Sequence, residues 1–214
     1  MMLPPRFAAD AASLGVTLDA SALARLARLG AELIEWNGKV NLTAIADPPR
    51  IATHHLLDSL SAAHLVQGPR VADVGTGGGF PGLPLAIALP AQRFTLIDSV
   101  GKKLRFVEHA VQALGLDNVA TLHARVEQLA GQAPYDTVIT RAFAPLPRLC
   151  EWVQPLCGKD TRVIAMKGRW PPEAGANDSA EVPRGWRIVS AEPVRVPGLD
   201  AHRHLLTLAW NPRR

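Results

Sequence analysis

The sequence predicts an α/β fold: a doubly wound, mostly parallel sheet that ends in an antiparallel hairpin and carries a helical annex at its N-terminal side. Three observations predict it. From residue 70 onward, short β-like runs alternate with helical stripes; the last two β-like runs have no helical stripe between them; and the segment before residue 69 reads as helices. Strands that alternate with helices are joined by crossovers, and crossovers set successive strands parallel with helices on both faces.

Residues 21–36 form the first convincing helix, with Leu23, Leu26, Leu29, Leu33 and Ile34 at helical spacing and Ser21 as its N-cap. Asp47-Pro48-Pro49-Arg50 is a helix-start turn, and Ile51, Leu56, Leu60 and Ala63 make the apolar face that follows. Residues 70–75 are the first strand, followed by a glycine-rich loop and an apolar helix over 82–89. The second strand, 93–98, leads to a helix over 102–116 striped by Leu104, Val107, Val111 and Leu114. Strands follow at 119–124 and 135–140, then a helix over 146–156 and a fifth strand over 162–167. Residues 170–185 are rich in Pro, Gly and Ala and read as a loop with at most a short helix. The runs 186–196 and 202–210 pair as the closing hairpin, giving seven strands in all. The 214 residues suffice for a single domain, with residues 1–68 as a helical extension packed on the α/β core of 69–214.

Composition excludes several classes. No run of about twenty apolar residues exists to span a membrane. The opening Met1 to Asp10 has no apolar stretch of leader length, so a cytoplasmic protein is expected. The 2 cysteines, Cys150 and Cys157, make neither a disulfide framework nor a four-cysteine zinc site, and read as buried thiols in a helix-like segment. His54, His55 and His64 lack metal-site spacing, and His202 and His204, on one face of a strand, read as packing or surface residues, so no metal is expected. A formal charge of +4 favours a polyanionic partner, modestly.

The sharpest local signal is Asp73-Val74-Gly75-Thr76-Gly77-Gly78-Gly79-Phe80-Pro81-Gly82. Glycines that alternate between a strand and a helix let the backbone turn tightly and let a ligand approach without meeting a Cβ. The pattern Asp73-x-Gly75-x-Gly77-x-Gly79 resembles the S-adenosylmethionine loop of class I methyltransferases, whose last strand also runs antiparallel. A carboxylate at Asp73 suits the cationic methionine end of that cofactor. The same string holds Gly77-x-Gly79-x-x-Gly82, a literal dinucleotide fingerprint, with Asp98 about twenty residues on. Asp98 suits ribose hydroxyls in either case. The dinucleotide reading needs its first glycine close to the strand end, whereas here two residues, one of them another glycine (Gly75-Thr76), intervene after Val74, which favours the methyltransferase.

Absent chemistry narrows the methyl acceptor. Exocyclic amines are commonly methylated through an (Asn/Asp/Ser)-Pro-Pro-aromatic motif after the fourth strand; here that place reads Thr140-Arg141-Ala142-Phe143-Ala144-Pro145. Pyrimidine C5 methylation needs a nucleophilic cysteine, typically after proline, but Cys150 and Cys157 each follow leucine. A guanine N7 fits these absences. Its in-plane lone pair carries no proton, so it attacks a sulfonium methyl without a general base, and the enzyme supplies orientation and electrostatics.

Several segments together resemble the bacterial small-subunit ribosomal RNA guanine-N7 methyltransferase family, RsmG (GidB). They are Trp36-Asn37, Asn41-Leu42-Thr43-Ala44-Ile45, His55-x-x-Asp58-Ser59-Leu60, the glycine loop, Leu96-x-Asp98-Ser99, Lys102-Lys103, Phe106, Arg125-Val126-Glu127, Thr140-Arg141-Ala142, Lys167-Gly168, and the stretch from Val196-Pro197 through His202-Arg203-His204-Leu205. The resemblance runs from about residue 30 to the C-terminus. It implies S-adenosylmethionine as cofactor and small-subunit (16S) rRNA, naked or in a ribosomal particle, as substrate. Asp73, Gly75, Gly77, Gly79 and Phe80 are then the cofactor loop, Asp98 the ribose ligand, and Val126 and Glu127 the border of the adenine. Arg141 sits beside the cofactor and the reacting guanine, as the one candidate catalytic residue. Asn37, Asn41, His55 and Asp58 are either a polar brace between annex and sheet or RNA contacts, the brace being favoured.

RNA is held mostly through phosphates, for which Lys102, Lys103, Arg105, Lys167, Arg169 and Arg203 are candidates. A monomer is expected. The competing functions are methylation of another RNA, a nicotinamide-dependent oxidoreductase, and a non-catalytic RNA-binding assembly factor.

Overall fold

The computed structural model describes residues 1–129, 131, 133–141, 144–172 and 180–211. A seven-stranded sheet has the order β3-β2-β1-β4-β5-β7-β6. The strands are β1 Arg70–Val74, β2 Arg93–Asp98, β3 Val119–His123, β4 Tyr135–Arg141, β5 Cys157–Lys167, β6 Trp186–Val194 and β7 Arg203–Trp210. β1 to β5 pair in parallel, and β7 runs antiparallel to both β5 and β6. The expected doubly wound sheet with a closing hairpin is therefore present.

The annex begins with α1, Phe7–Ser13, which the sequence pattern did not reveal. Phe7 and Ala11 are buried on the annex core, but seven residues are too few to display a helical period. α2 spans Ala20–Val40. Its cap is Asp19, whose carboxylate accepts from the Ala22 N–H at 2.7 Å, rather than Ser21. It also runs past the expected end at Trp36 and closes where Asn41 turns left-handed at φ 49°. α3, Pro48–Ile51, starts on the Asp47 side chain, as expected, and continues without a break into a π-helical turn, Ala52–Leu57, and then α4, Asp58–Leu60.

α5 (Gly82–Ala88), α6 (Gly101–Leu114) and α7 (Leu146–Val153) are the crossovers. The helix expected to reach Leu156 gives way to a tighter 3-10 turn over Gln154–Leu156, where Pro155 has no N–H to continue the α-helical hydrogen bonds. β5 starts at Cys157, earlier than the apolar run suggested. Its first residues are polar, yet Thr161 holds them in the sheet by donating to the Tyr135 carbonyl and accepting from the Gly158 N–H. Residues 173–179, the centre of the Pro- and Ala-rich stretch, lie outside the described residues.

The pleat sorts the core into two faces. On one, Val71, Leu96, Ile139 and Ile164 of the sheet pack with α5, α6 and the annex leucines Leu26, Leu29 and Leu33. On the other, Ala72, Val74, Val138 and Val163 pack with Leu146, Leu149 and Val153 of α7. Each fully buried leucine of α2 contributes about 1.5–3 kcal/mol, so the annex shares the core of the sheet and is no loose arm. Trp36 of α2 packs on Phe106 and His109 of α6, and His109 is held by Glu32 at 2.7 Å. Cys150 and Cys157 are both buried, Cys150 on α7 and Cys157 at the head of β5 rather than on one helix; burial pushes both thiols up to about 12. Among the described residues no helix is long and apolar enough to cross a membrane.

Candidate functional site

The chain leaves β1 into the glycine loop at the carboxyl ends of the parallel strands, next to the point where the strand order reverses between β1 and β4. The C=O of Ile97 on β2 accepts from the N–H of both Gly75 and Thr76, which turns the loop toward β2. Gly79 has φ +84°, and a Cβ there would meet the Leu83 side chain of α5. Gly82 opens α5 so close to β1 that a Cβ would lie 2.6 Å from Asp73 Oδ2.

That approach explains Asp73. Its Oδ2 accepts from the Thr76 hydroxyl at 2.6 Å and from the Gly82 N–H at 2.8 Å, tying both ends of the loop together. The residue is fully buried, and among the described residues its Oδ1 has no hydrogen-bond partner. Burial raises its carboxyl from 3.8 to about 6, against the lowering effects of Thr76, Gly82 and Arg141. Asp98 ends β2 and has both oxygens engaged by backbone: Oδ2 accepts from the Gly77 N–H and Oδ1 from the Val100 N–H, each at 2.8 Å.

Asp98 lines a cleft of about 400 Å³ together with Gly75, Ile97, Ser99, Lys103, Arg125, Val126, Glu127 and Trp152. Of the expected cofactor residues, Gly75, Asp98, Val126 and Glu127 meet on this wall. Asp73, Gly77, Gly79, Phe80 and Arg141 do not line it. The cleft fits S-adenosylmethionine. A carboxylate whose oxygens keep lone pairs for hydroxyl donors stands at one point, and the apolar Ile97, Val126 and Trp152 offer a surface for a flat base. Lys103, expected as an RNA contact, is part of the cleft wall, as is Arg125. Trp152 carried no signal in the sequence: it reaches the cleft from α7, some distance along the chain from any motif, and only its helical placement could have marked it. Among the described residues no group of three or more His, Cys, Asp or Glu side chains is placed to hold a metal ion.

Beside the loop lies a polar network that joins annex to sheet. Arg141, at the end of β4, donates through Nη1 to the His54 carbonyl at 2.9 Å and to Asp58 Oδ2 at 3.0 Å. Its Nη2 donates to His55 Nδ1 at 3.3 Å, and its Cζ lies 5.5 Å from the centre of the Phe80 ring. His55 stacks on Phe80 at 4.8 Å and contacts Thr43 Oγ1 through Nε2 at 2.8 Å. Asn37 grips the Thr43 backbone, donating to its C=O and accepting from its N–H. Asp58, whose side chain is only 2% exposed, also accepts from Arg203 Nε at 2.8 Å. The brace reading of Asn37, His55 and Asp58 matches this geometry, whereas Asn41 is exposed and serves as the left-handed cap of α2. Phe80 is buried against His55 rather than open to the cleft.

The basic candidates fall in two groups. Lys102, Lys103 and Arg105 lie on α6; Lys167, Arg169 and Arg203 lie where β5 ends beside the start of β7. All three of the second group are engaged within the chain: Lys167 Nζ donates to the Ala144 carbonyl, Arg169 contacts His202, and Arg203 is paired with Asp58. Arg203 is thus first an ion-pair partner of a buried carboxylate, a pairing the charge pattern alone did not reveal.

Sheet order, glycine loop and cleft together define a class I S-adenosylmethionine-dependent methyltransferase. Solved structures share the fold. A SAM dependent methyltransferase from Aquifex aeolicus aligns with TM-score 0.55 at 18% identity, over 79% of this chain and 97% of that one. A point mutant of MtNAS in complex with S-adenosylmethionine aligns with TM-score 0.58 at 16% identity, over 96% of this chain and 77% of that one. Residues 22–206 match the family model described as rRNA small subunit methyltransferase G. Proteins named ribosomal RNA small subunit methyltransferase G from Pseudomonas paraeruginosa and Azoarcus sp. are each 43% identical to this chain. The first aligns over 202 residues, 94% of this chain and 92% of its own, and the second over 205 residues, 95% of each. The chain belongs to the rRNA small subunit methyltransferase G family.

Proposed function

We propose that this chain transfers the methyl group of S-adenosylmethionine to N7 of a guanine in small-subunit (16S) rRNA. The observation that carries the reading is the cleft at the ends of β1 to β3, where Gly75, Asp98, Val126 and Glu127 converge. Asp98, fixed by two backbone N–H groups, takes the ribose hydroxyls; Val126, Glu127 and Trp152 border the adenine. When bound, the cofactor supplies an electrophilic sulfonium methyl. The chain itself has no proton to remove from N7, so its work is to bind, orient and exclude water. Arg141 stands at the glycine loop, where it faces the acceptor guanine, and its positive charge suits the electron-rich edge of that base. Asp73 acts through the loop, by holding Thr76 and Gly82.

The annex, residues 1–68, and the core, residues 69–214, act as one domain, supported by their shared core. The protein works as a monomer in the cytoplasm. Among the described residues the exposed large apolar side chains are Met2 and Val189, which offer little for self-association. RNA is held by Lys102, Lys103 and Arg105 on one side and by Lys167, Arg169 and Arg203 on the other.

The test is methyl transfer from labelled S-adenosylmethionine to small-subunit particles, and to their naked rRNA, from cells lacking the modification, followed by nucleoside analysis. Labelled 7-methylguanosine, lost in Gly75→Asp and Asp98→Ala, is expected. Cofactor binding with label in another nucleoside, or in none, would overturn the acceptor assignment.

A further inference from the structure

We infer that His55 is a positioning residue for methyl transfer: its imidazole fixes the guanidinium of Arg141 against Phe80 of the glycine loop. The inference rests on the proposed function, and goes beyond it by giving the annex a task in the reaction.

The hydrogen bonds dictate the state of the ring. A guanidinium can only donate, so His55 Nδ1, 3.3 Å from Arg141 Nη2, must present a bare lone pair. The proton then sits on Nε2, which donates to Thr43 Oγ1 at 2.8 Å. Thr43 is set for this contact from both sides of its backbone by Asn37, at 2.9 and 2.8 Å, and its Oγ1 also accepts from the Ile45 N–H. The order Asn37, Thr43, His55, Arg141 is therefore a line of donors and acceptors in which only one tautomer satisfies every member. Burial and the facing Arg141 charge lower His55 to about 4, so the neutral ring persists across the working pH range.

Geometry gives the ring a second contact. It stacks on Phe80 with centroids 4.8 Å apart and planes 22° from parallel. One imidazole thus touches both the glycine loop and Arg141, and the π-helical turn Ala52–Leu57 brings the His54 carbonyl onto the same guanidinium. Single π-turns inside α-helices are frequent at functional sites. Asp58 and the His54 carbonyl both accept from Nη1, so they hold one end of the guanidinium without fixing its plane. His55 adds the third point that does.

A plain brace and a positioning residue respond differently to substitution. His55→Asn places an amide oxygen where Nδ1 stands, so an acceptor for Arg141 remains; His55→Leu fills the space with none. Turnover would be measured at saturating S-adenosylmethionine and saturating small-subunit particles, alongside the Kd of S-adenosylmethionine and the thermal midpoint. A group displaced by about 1 Å can cost on the order of a hundredfold in rate. We expect His55→Leu to lose kcat by about that factor with little change in cofactor Kd, and His55→Asn to recover most of the loss. Thr43→Val, which keeps shape but removes the Nε2 acceptor, should lower kcat in the same direction by less. Equal kcat in His55→Leu and His55→Asn, or a loss matched in full by weaker cofactor binding, would overturn the inference. Should His55→Leu fail to fold, Thr43→Val with wild-type kcat would overturn it as well. Wild-type protein with no transfer to guanine N7 removes the proposed function and this inference with it, whereas an active wild type with an equally active His55→Leu removes this inference alone.

Discussion

Asp73 offers the most decisive test of how the glycine loop is held. Its carboxylate is fully buried, has one oxygen without a partner, and is raised from 3.8 to about 6, chiefly by desolvation. A raised carboxyl means that the folded state binds the proton more tightly than the unfolded chain does. Its contribution to stability is therefore complete below pH 3.8 and is lost as the pH rises through about 6. The full cost of the charge near neutrality is about 3 kcal/mol, taking about 1.4 kcal/mol per pH unit of displacement. Asp73→Asn removes the titration while its amide oxygen still accepts from Thr76 and Gly82. The amide N–H₂ left at the unpartnered position costs about 1–3 kcal/mol, but this offset does not vary with pH. Urea unfolding of both proteins between about pH 7.5 and about pH 5 isolates the group. The wild type should gain about 1.4 kcal/mol relative to Asp73→Asn over that interval, because part of the penalty disappears as Asp73 protonates. A difference in stability that stays flat, or moves the other way, would mean that Asp73 is not a buried charge and that the loop is held by other contacts.

Other outcomes follow from the same network. Asp98→Ala strips the acceptors from the Gly77 and Val100 N–H groups, and calorimetry should show S-adenosylmethionine binding weakened roughly ten- to hundredfold, as for removal of a charge-assisted hydrogen bond. An unchanged Kd would remove Asp98 from the cofactor site. Gly82→Ala sets a methyl 2.6 Å from Asp73 Oδ2 and 2.9 Å from Leu96 Cγ, and should cost about 1–3 kcal/mol in chemical unfolding. Asp58→Ala leaves Arg141 and Arg203 without their shared partner and should cost about 3–5 kcal/mol, whereas Arg203→Ala, which leaves Asp58 with Arg141, should cost about 1–3 kcal/mol. Equal losses in unfolding experiments would show that Asp58 does not bridge the two. Lys102→Glu with Lys103→Glu should weaken binding to small-subunit particles and flatten the salt dependence by about one unit of slope for each phosphate no longer neutralised. Affinity and slope identical to wild type would take α6 out of the RNA surface.

How far the sequence reached depends on the range of the interaction that decides each feature. Strands and crossover helices were legible because their signal is a local period: Leu104, Val107 and Leu114 are buried on α6 as their spacing requires. The cleft was half legible. Gly75 and Asp98 are at the ends of adjacent strands, where motif and geometry coincide, but Trp152 comes from α7 across the sheet and belongs to no motif. The tie from Asp73 to Gly82 was not legible, since Gly82 lies on the next helix and only the close approach of α5 to β1 reveals the contact. Arg203 was the least legible. Its partner Asp58 is 145 positions away, and a charge pattern holds no trace of a pairing at that distance. Asn37, Thr43, His55 and Asp58 belong to the sequence motifs for a related reason, although none of them lines the cleft. Each is one link in a chain of hydrogen bonds that converges on Arg141, beside Phe80, so changing any one link leaves a buried or half-buried donor or acceptor without a partner. Motif residues thus divide into those that form the cleft wall and those that hold its neighbours in place, and only the fold distinguishes the two.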